Sequence, residues 1–113
     1  MIPSNKVTWF QLPADDEQRA WCFYGQIFGW SQEEVYANKT TTGAINGEIV
    51  RRSGELKEPR LVIRVDDVDG MIERIIHFGG KIIQQRTEIT EIGMVYASFE
   101  DTEGNAVNIV GNI

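Results

Sequence analysis

The feature that most limits what this chain of 113 residues can fold into is an internal echo. "WFQLPADDEQRAWCFYGQIFGW" at residues 9–30 and "RLVIRVDDVDGMIERIIHFGGK" at residues 60–81 share a shape at an offset of 51. Asp15-Asp16 falls on Asp66-Asp67, Ala20 on Met71, Tyr24 on Ile75 and Gly29 on Gly80. Each copy reads as a strand, an acidic pair, an amphipathic helix and a glycine. Two copies are too few for a solenoid, so the echo marks a duplicated module.

The physical content of each copy follows from periodicity. Alternate residues of a strand share a face. Trp9 and Gln11 therefore point one way while Phe10, Leu12 and Ala14 point the other, and Arg60, Val62 and Arg64 oppose Leu61, Ile63 and Val65. An aspartate at the strand end can accept hydrogen bonds from the open amides of the next helical turn, and its charge suits the helix dipole. The spacing predicts a helix over 17–28 with Ala20, Tyr24, Ile27 and Phe28 on its apolar face. A second helix is predicted over 69–78 with Met71, Ile72, Ile75 and Ile76. Gly29 and Gly79-Gly80 are placed to end them in the left-handed conformation.

Short strands bounded by turn residues are expected at 33–37, 39–42 and 47–51 in the first half, and at 81–87, 94–100 and 106–110 in the second. Asn46-Gly47 reads as a hairpin turn. Residues around Glu88 and Glu91 read as a long connection able to border a site as a lid. The fold class is α+β: two tandem βαβββ modules, the first at about 6–51 and the second at about 60–111, joined by a polar linker at 52–59. The whole chain, 1–113, is expected to be one domain.

Charge and composition exclude several functions. A formal net charge of −6 lacks the concentrated basic surface that nucleic-acid phosphates require. No apolar run approaches the roughly 20 residues that span a bilayer, and "MIPSNKVTWF" has no secretion-signal core. The single cysteine, Cys22, excludes an internal disulfide and fits a reducing compartment. A cytoplasmic location is expected. With Trp21 and Phe23 as neighbours and no histidine nearby in sequence, Cys22 reads as a small packing residue rather than a nucleophile. His77, the one histidine, reads as an exposed residue at a helix end.

The paired modules, "FQLPADD", "CFYGQIFGW", "VDDVDGMIERIIHFGGKII" and the closing "DTEGN" together resemble the vicinal oxygen chelate superfamily, which includes glyoxalase I, bleomycin-resistance proteins and extradiol dioxygenases. The resemblance spans roughly residues 6–111. It implies a curled mixed sheet around a cup, with the helices outside, and it implies homodimers. With strand parity it places Trp9, Gln11, Arg60, Val62, Arg64, Tyr96, Ser98 and Asn108 toward the cup, and Glu48 as a further candidate.

Metal-using members of that superfamily carry a histidine on the first strand of each module and carboxylate or amide ligands late in each, leaving open positions for two substrate oxygens. Carried over residue by residue, the histidine positions match Trp9 and Arg60, and the last-strand carboxylate matches Asn108. Glu48 alone keeps ligand character. The expectation is therefore a protein that holds no metal and no other cofactor. Its ligand-binding residues are expected to be Trp9, Gln11, Glu48, Arg60, Arg64, Tyr96 and Asn108. Trp9 could stack a planar ligand, and Arg60 or Arg64 could fork onto a carboxylate or phosphate.

Three functions remain open at this level. One is a small-molecule-binding protein. Another is a glyoxalase-like lyase or isomerase, or a dioxygenase-type enzyme, with Glu48 the one candidate general base. The third is an acidic drug-sequestering resistance protein whose charge suits a cationic guest.

Overall fold

The computed structural model describes residues 4–37 and 44–113 and comprises two compact units, Trp9–Arg60 in one and residues 4–8 with Leu61–Ile113 in the other. Strand β1 (Lys6–Ala14) begins in the second of these and runs into the first, and β3 (Arg60–Arg64) makes the opposite passage.

In the unit Trp9–Arg60, β1 is followed by helix α1 (Glu17–Phe28), helix α2 (Gln32–Ala37) and strand β2 (Asn46–Arg51). β1 and β2 pair in parallel, from Trp9↔Asn46 to Ala14↔Arg51. A parallel pair cannot be closed by a tight turn, and the two helices lie on the crossover. Asp16 caps α1, its Oδ1 accepting the Arg19 amide at 3.0 Å, and Gly29 ends it at φ 72°. At the far end of β2, Arg52 reaches Asp15 at 3.0 Å and also donates to the carbonyl of Lys57, tying the linker to the β1 terminus.

Two sequence expectations fail in this unit. Residues 33–37, read as a strand, are the body of α2. Ser31 caps that helix by accepting the Glu34 amide at 3.3 Å, and Glu33 and Glu34 sit in its first turn, where the dipole favours them. The spacing Ser31-x-x-Glu34 is a capping-box pattern, which outweighs the strand propensity of Val35 and Tyr36. The strand expected at 39–42 lies outside the described residues.

Asn46-Gly47 also opens β2 instead of turning a hairpin. Gly47 serves packing there: the Phe10 ring occupies the space that a Cβ would need. Phe10 in turn meets Trp30 at 6.1 Å, and Trp30 stacks on Tyr24 at 4.9 Å. The apolar face expected for α1 is only partly used, since Tyr24 packs inward while Ile27 and Phe28 stay exposed.

The other unit keeps the βαβββ order: β3, α3 (Val68–His77), β4 (Lys81–Ile89), β5 (Met94–Glu100) and β6 (Ala106–Asn112). β6 pairs in parallel with β3 and antiparallel with β5, which pairs antiparallel with β4. The connection expected around Glu88 is shorter than the sequence suggests, because β4 runs on to Ile89 and only one 3-10 turn, Thr90–Ile92, separates it from β5.

Asp67 caps α3 through the Gly70 amide at 3.1 Å, the same device at the same offset as Asp16. At the other end Gly80 donates to the Ile75 carbonyl at 2.8 Å and Gly79 to Ile76 at 3.2 Å. This closure needs a left-handed residue, and Gly79 supplies it at φ 100°. The core comprises Val65, Val68, Val95, Ala97 and Ile109, covered by Ile63, Met71, Ile72, Ile75 and Phe99. Ile76, expected on the buried stripe, is exposed, and Val68 takes its place; Leu61, expected with Ile63 and Val65, is exposed as well. His77 is exposed at the end of α3, edge-on to Phe78. No helix among the described residues is long and apolar enough to cross a membrane.

β5 and β6 are joined by the Asp-Thr-Glu-Gly-Asn turn. Asp101 Oδ1 accepts the amides of Glu103 and Asn105, both at 2.9 Å, and Oδ2 accepts the Asn105 side chain at 3.0 Å. The bonds from Asn105, backbone first and then side chain, followed by that from Glu103, hold the Asp101 carboxyl below its ordinary value of 3.8.

Two outcomes follow. Gly47→Ala should cost about 1–3 kcal/mol in urea unfolding, because the added methyl displaces a ring held by Trp30. A folded pKa below the unfolded one stabilises above the unfolded value and is lost as pH falls through the folded one. Asp101→Asn should therefore lower Tm at pH 7, and the gap to wild type should close at pH values below the depressed pKa.

Candidate functional site

Each unit presents one polar strand face opposite its apolar one, and the candidate residues fall on these polar faces. In the unit Trp9–Arg60 the register sets Trp9 beside Asn46 and Gln11 beside Glu48, so these four share the face opposite Phe10 and Gly47. The indole Nε1–H of Trp9 donates to Glu48 Oε2 at 2.8 Å, and both side chains are half-buried. Tyr36 of α2 meets the Trp9 ring at right angles, with centroids 5.1 Å apart. The result is a corner of two aromatic walls with a carboxylate fastened to one of them. Arg60, at the end of this unit, donates from Nη2 to the Glu55 carbonyl at 2.9 Å, so one arm of its guanidinium is spent on the linker backbone.

In the other unit the same parity brings together Val62, Asn108, Ser98 and Gln84 in one row, and Arg64, Val110, Tyr96 and Thr87 in the next. Ser98, only 3% exposed, donates from Oγ to Asn108 Oδ1 at 2.5 Å. Arg64 Nη2 donates to Asn112 Oδ1 at 2.7 Å, and Gln84 Nε2 donates to Thr87 Oγ1 at 3.1 Å. Tyr96 is half-buried on that face. The opposite parity carries Ala97, Val95 and Ile109 into the core.

The registers reveal an equivalence between the units. Glu48 on β2 lies opposite Gln11, and Asn108 on β6 lies opposite Val62; Gln11 and Val62 are themselves the same position of the two copies. Glu48 and Asn108 are thus the same site of the duplicated module, a carboxylate in one copy and an amide in the other.

The residues at these positions do not fit a divalent metal of the kind the resemblance implies. The Trp9 indole nitrogen is a donor with no lone pair for a cation, and it is bonded to the one carboxylate at hand. Arg60, a permanent cation, would oppose a metal by charge. Among the described residues no three of His, Cys, Asp or Glu cluster as a metal would need.

The Glyoxalase/Bleomycin resistance protein/Dioxygenase superfamily model matches residues 6–109. The chain belongs to this superfamily. A glyoxylase-like domain-containing protein of Didymella fabae is 28% identical, with 93% of this chain and 92% of that protein covered. A putative glyoxylase of Mycobacterium bovis is 25% identical over 89% of this chain, which spans only 43% of that protein's length. Among solved structures, a methylmalonyl-CoA epimerase of Streptomyces coelicolor superposes with a TM-score of 0.66 at 12% identity, covering 97% of this chain and 99% of the other. An NAD-dependent benzaldehyde dehydrogenase from Legionella pneumophila does so with a TM-score of 0.62 at 11% identity, covering 93% and 98%. At such identities these structures share the glyoxalase superfamily fold, and the shared fold is all they show.

Tyr36 and Asn112, like Asn46, Gln84 and Thr87, join these faces without a pattern in the sequence that singles them out. The strand propensity of Val35 and Tyr36 masks the helix at 33–37, to which the Ser31 cap points. Asn112 lies beyond the strand end expected at residue 110, and only the longer β6 brings it beside Arg64. Ser98→Ala should cost about 1 kcal/mol in chemical denaturation, since it removes the donor to Asn108 from a buried row.

Proposed function

We propose that this member of the glyoxalase superfamily binds a small organic molecule through its polar strand faces and does so without the superfamily's metal. Each unit offers a candidate face of its own, with Trp9, Gln11 and Glu48 in one and Arg64, Tyr96, Ser98 and Asn108 in the other. The observation that carries the reading is the 2.8 Å bond from the Trp9 indole to Glu48. At the position where the resemblance implies a histidine ligand stands an aromatic donor that engages the carboxylate itself. Such a face offers a broad apolar wall, a fixed acceptor and the amide of Gln11, which suit recognition of an organic molecule with one polar group. Arg60 donates from one arm to the Glu55 carbonyl of the linker. The exposed free thiol of Cys22 supports a cytoplasmic setting, and apolar residues left exposed on α1, Phe23, Ile27 and Phe28, support a homodimer.

A metal-free lyase or isomerase is the second reading. It draws support from the half-buried Glu48, whose Oε2 is held by Trp9 while Oε1 is turned to no hydrogen-bond donor among the described residues. A carboxylate oriented in this way can accept a proton from a bound substrate. Glu48→Gln would then abolish turnover while ligand binding persisted.

Purified protein should contain Ni, Zn, Fe and Mn well below one equivalent. A thermal-shift screen of metabolites should find a ligand that adds about 2.7 kcal/mol of stability at a hundredfold excess over Kd, and Trp9→Ala should erase that gain. Stoichiometric metal, or stabilisation indifferent to Trp9→Ala, would overturn the proposal.

A further inference from the structure

We infer that the corner formed by Trp9, Tyr36 and Glu48 selects an organic cation, specifically a quaternary or bulky alkylammonium group. The inference rests on the proposed small-molecule binding and names the ligand class of that same face.

Three observations converge. The rings of Trp9 and Tyr36 stand at 90° with centroids 5.1 Å apart, so they present two perpendicular walls rather than one stacked slab. A compact cation seated in such a corner meets the negative face of one ring and the flank of the other, with a cation–π attraction that grows as water is excluded. The second observation is the tether: the Trp9 Nε1–H donates to Glu48 Oε2 at 2.8 Å. That bond fixes a carboxylate beside the indole and makes the indole more electron-rich, so the full charge and the ring quadrupole attract the same sign. The third is access. Tyr36 is 60% exposed, so its ring is available to a ligand from solvent, and a molecule of net charge −6 attracts cations toward its surface.

Among the described residues, the register partners on this face carry no positive charge. Gln11 is the register partner of Glu48 and Asn46 that of Trp9, and both are neutral amides. Arg52 is paired with the Asp15 carboxylate at 3.0 Å. A quaternary ammonium has no N–H to donate, so aromatic walls and a carboxylate are the chemistry that recognises it. A plain carboxylate ligand would be repelled by Glu48, and an uncharged hydrocarbon would gain only from the walls.

The experiment is a titration of the intact protein with choline and with dimethylbutanol, its uncharged isostere. The readout is the Trp9 indole N–H resonance, assigned by its loss in Trp9→Phe, together with calorimetry. Choline should shift that resonance and bind at least about tenfold more tightly than its isostere, as expected of a desolvated cation–π contact. Tyr36→Ala, at an exposed position, and Glu48→Gln, which keeps an acceptor for the indole, should each weaken choline binding several-fold while leaving Tm near wild type. Equal affinity for the two probes, or choline binding unchanged in both variants, overturns the inference. If choline leaves the resonance unmoved while the metabolite screen still yields a Trp9-dependent ligand, the cation preference falls and small-molecule binding stands. If the screen also yields nothing, both fall.

Discussion

Parallel strand pairing is the constraint on which the site depends. β1 with β2, and β3 with β6, are side-by-side parallel pairs, and such pairs require a crossover long enough to hold a helix. That requirement explains why each copy of the repeat places an aspartate at the strand end: Asp16 and Asp67 start the returning helix at the point where the chain must leave the sheet. The pairing also sets the register, and the side-chain period of two then sorts every residue onto a face. A slip of one residue in β2 would drive Glu48 toward the Phe10 ring and push Gly47 onto the polar face, so the aromatic packing and the candidate site are specified together.

Duplication supplied the frame, and divergence supplied the chemistry. The two helices begin at equivalent residues, Glu17 and Val68, but α1 runs to Phe28 and α3 stops at His77. Their left-handed ends consequently fall on Gly29 in one copy and Gly79 in the other, one residue out of step with the sequence alignment. The polar positions have separated further. Where one copy has Trp9 and Glu48, the other has Arg60 and Asn108. One face is acidic and aromatic; the other is built from amides, hydroxyls and arginine.

Much of the frame was legible because it rests on local chemistry. The aspartate caps, the glycine stops and the alternation of Trp9 with Phe10 or Arg64 with Ile63 act within a few residues, and each came out in the structure as the sequence indicates. The failures share a cause. Val35 and Tyr36 carry strand propensity, and Asn46-Gly47 is a strong turn signal, but both lie on a crossover whose course is set by distant pairing. Once β2 must return parallel to β1, no hairpin can form at Asn46, and Ser31 has a helix to cap. Ile27, Phe28 and Ile76 fit an amphipathic stripe by spacing and yet remain exposed, since spacing says which residues share a face and not how much of that face is covered.

By itself the sequence determined the repeat, the caps, the strand parity and the α+β class. Each of these depends on residue identity or on separations of a few positions. Only the tertiary structure decided that Trp9 bonds Glu48, that Tyr36 stands against the indole, that Ser98 holds Asn108 and that Arg64 holds Asn112. Those contacts join residues up to 48 positions apart. They exist because strands far apart in the chain pair in one register, and no local preference encodes that register.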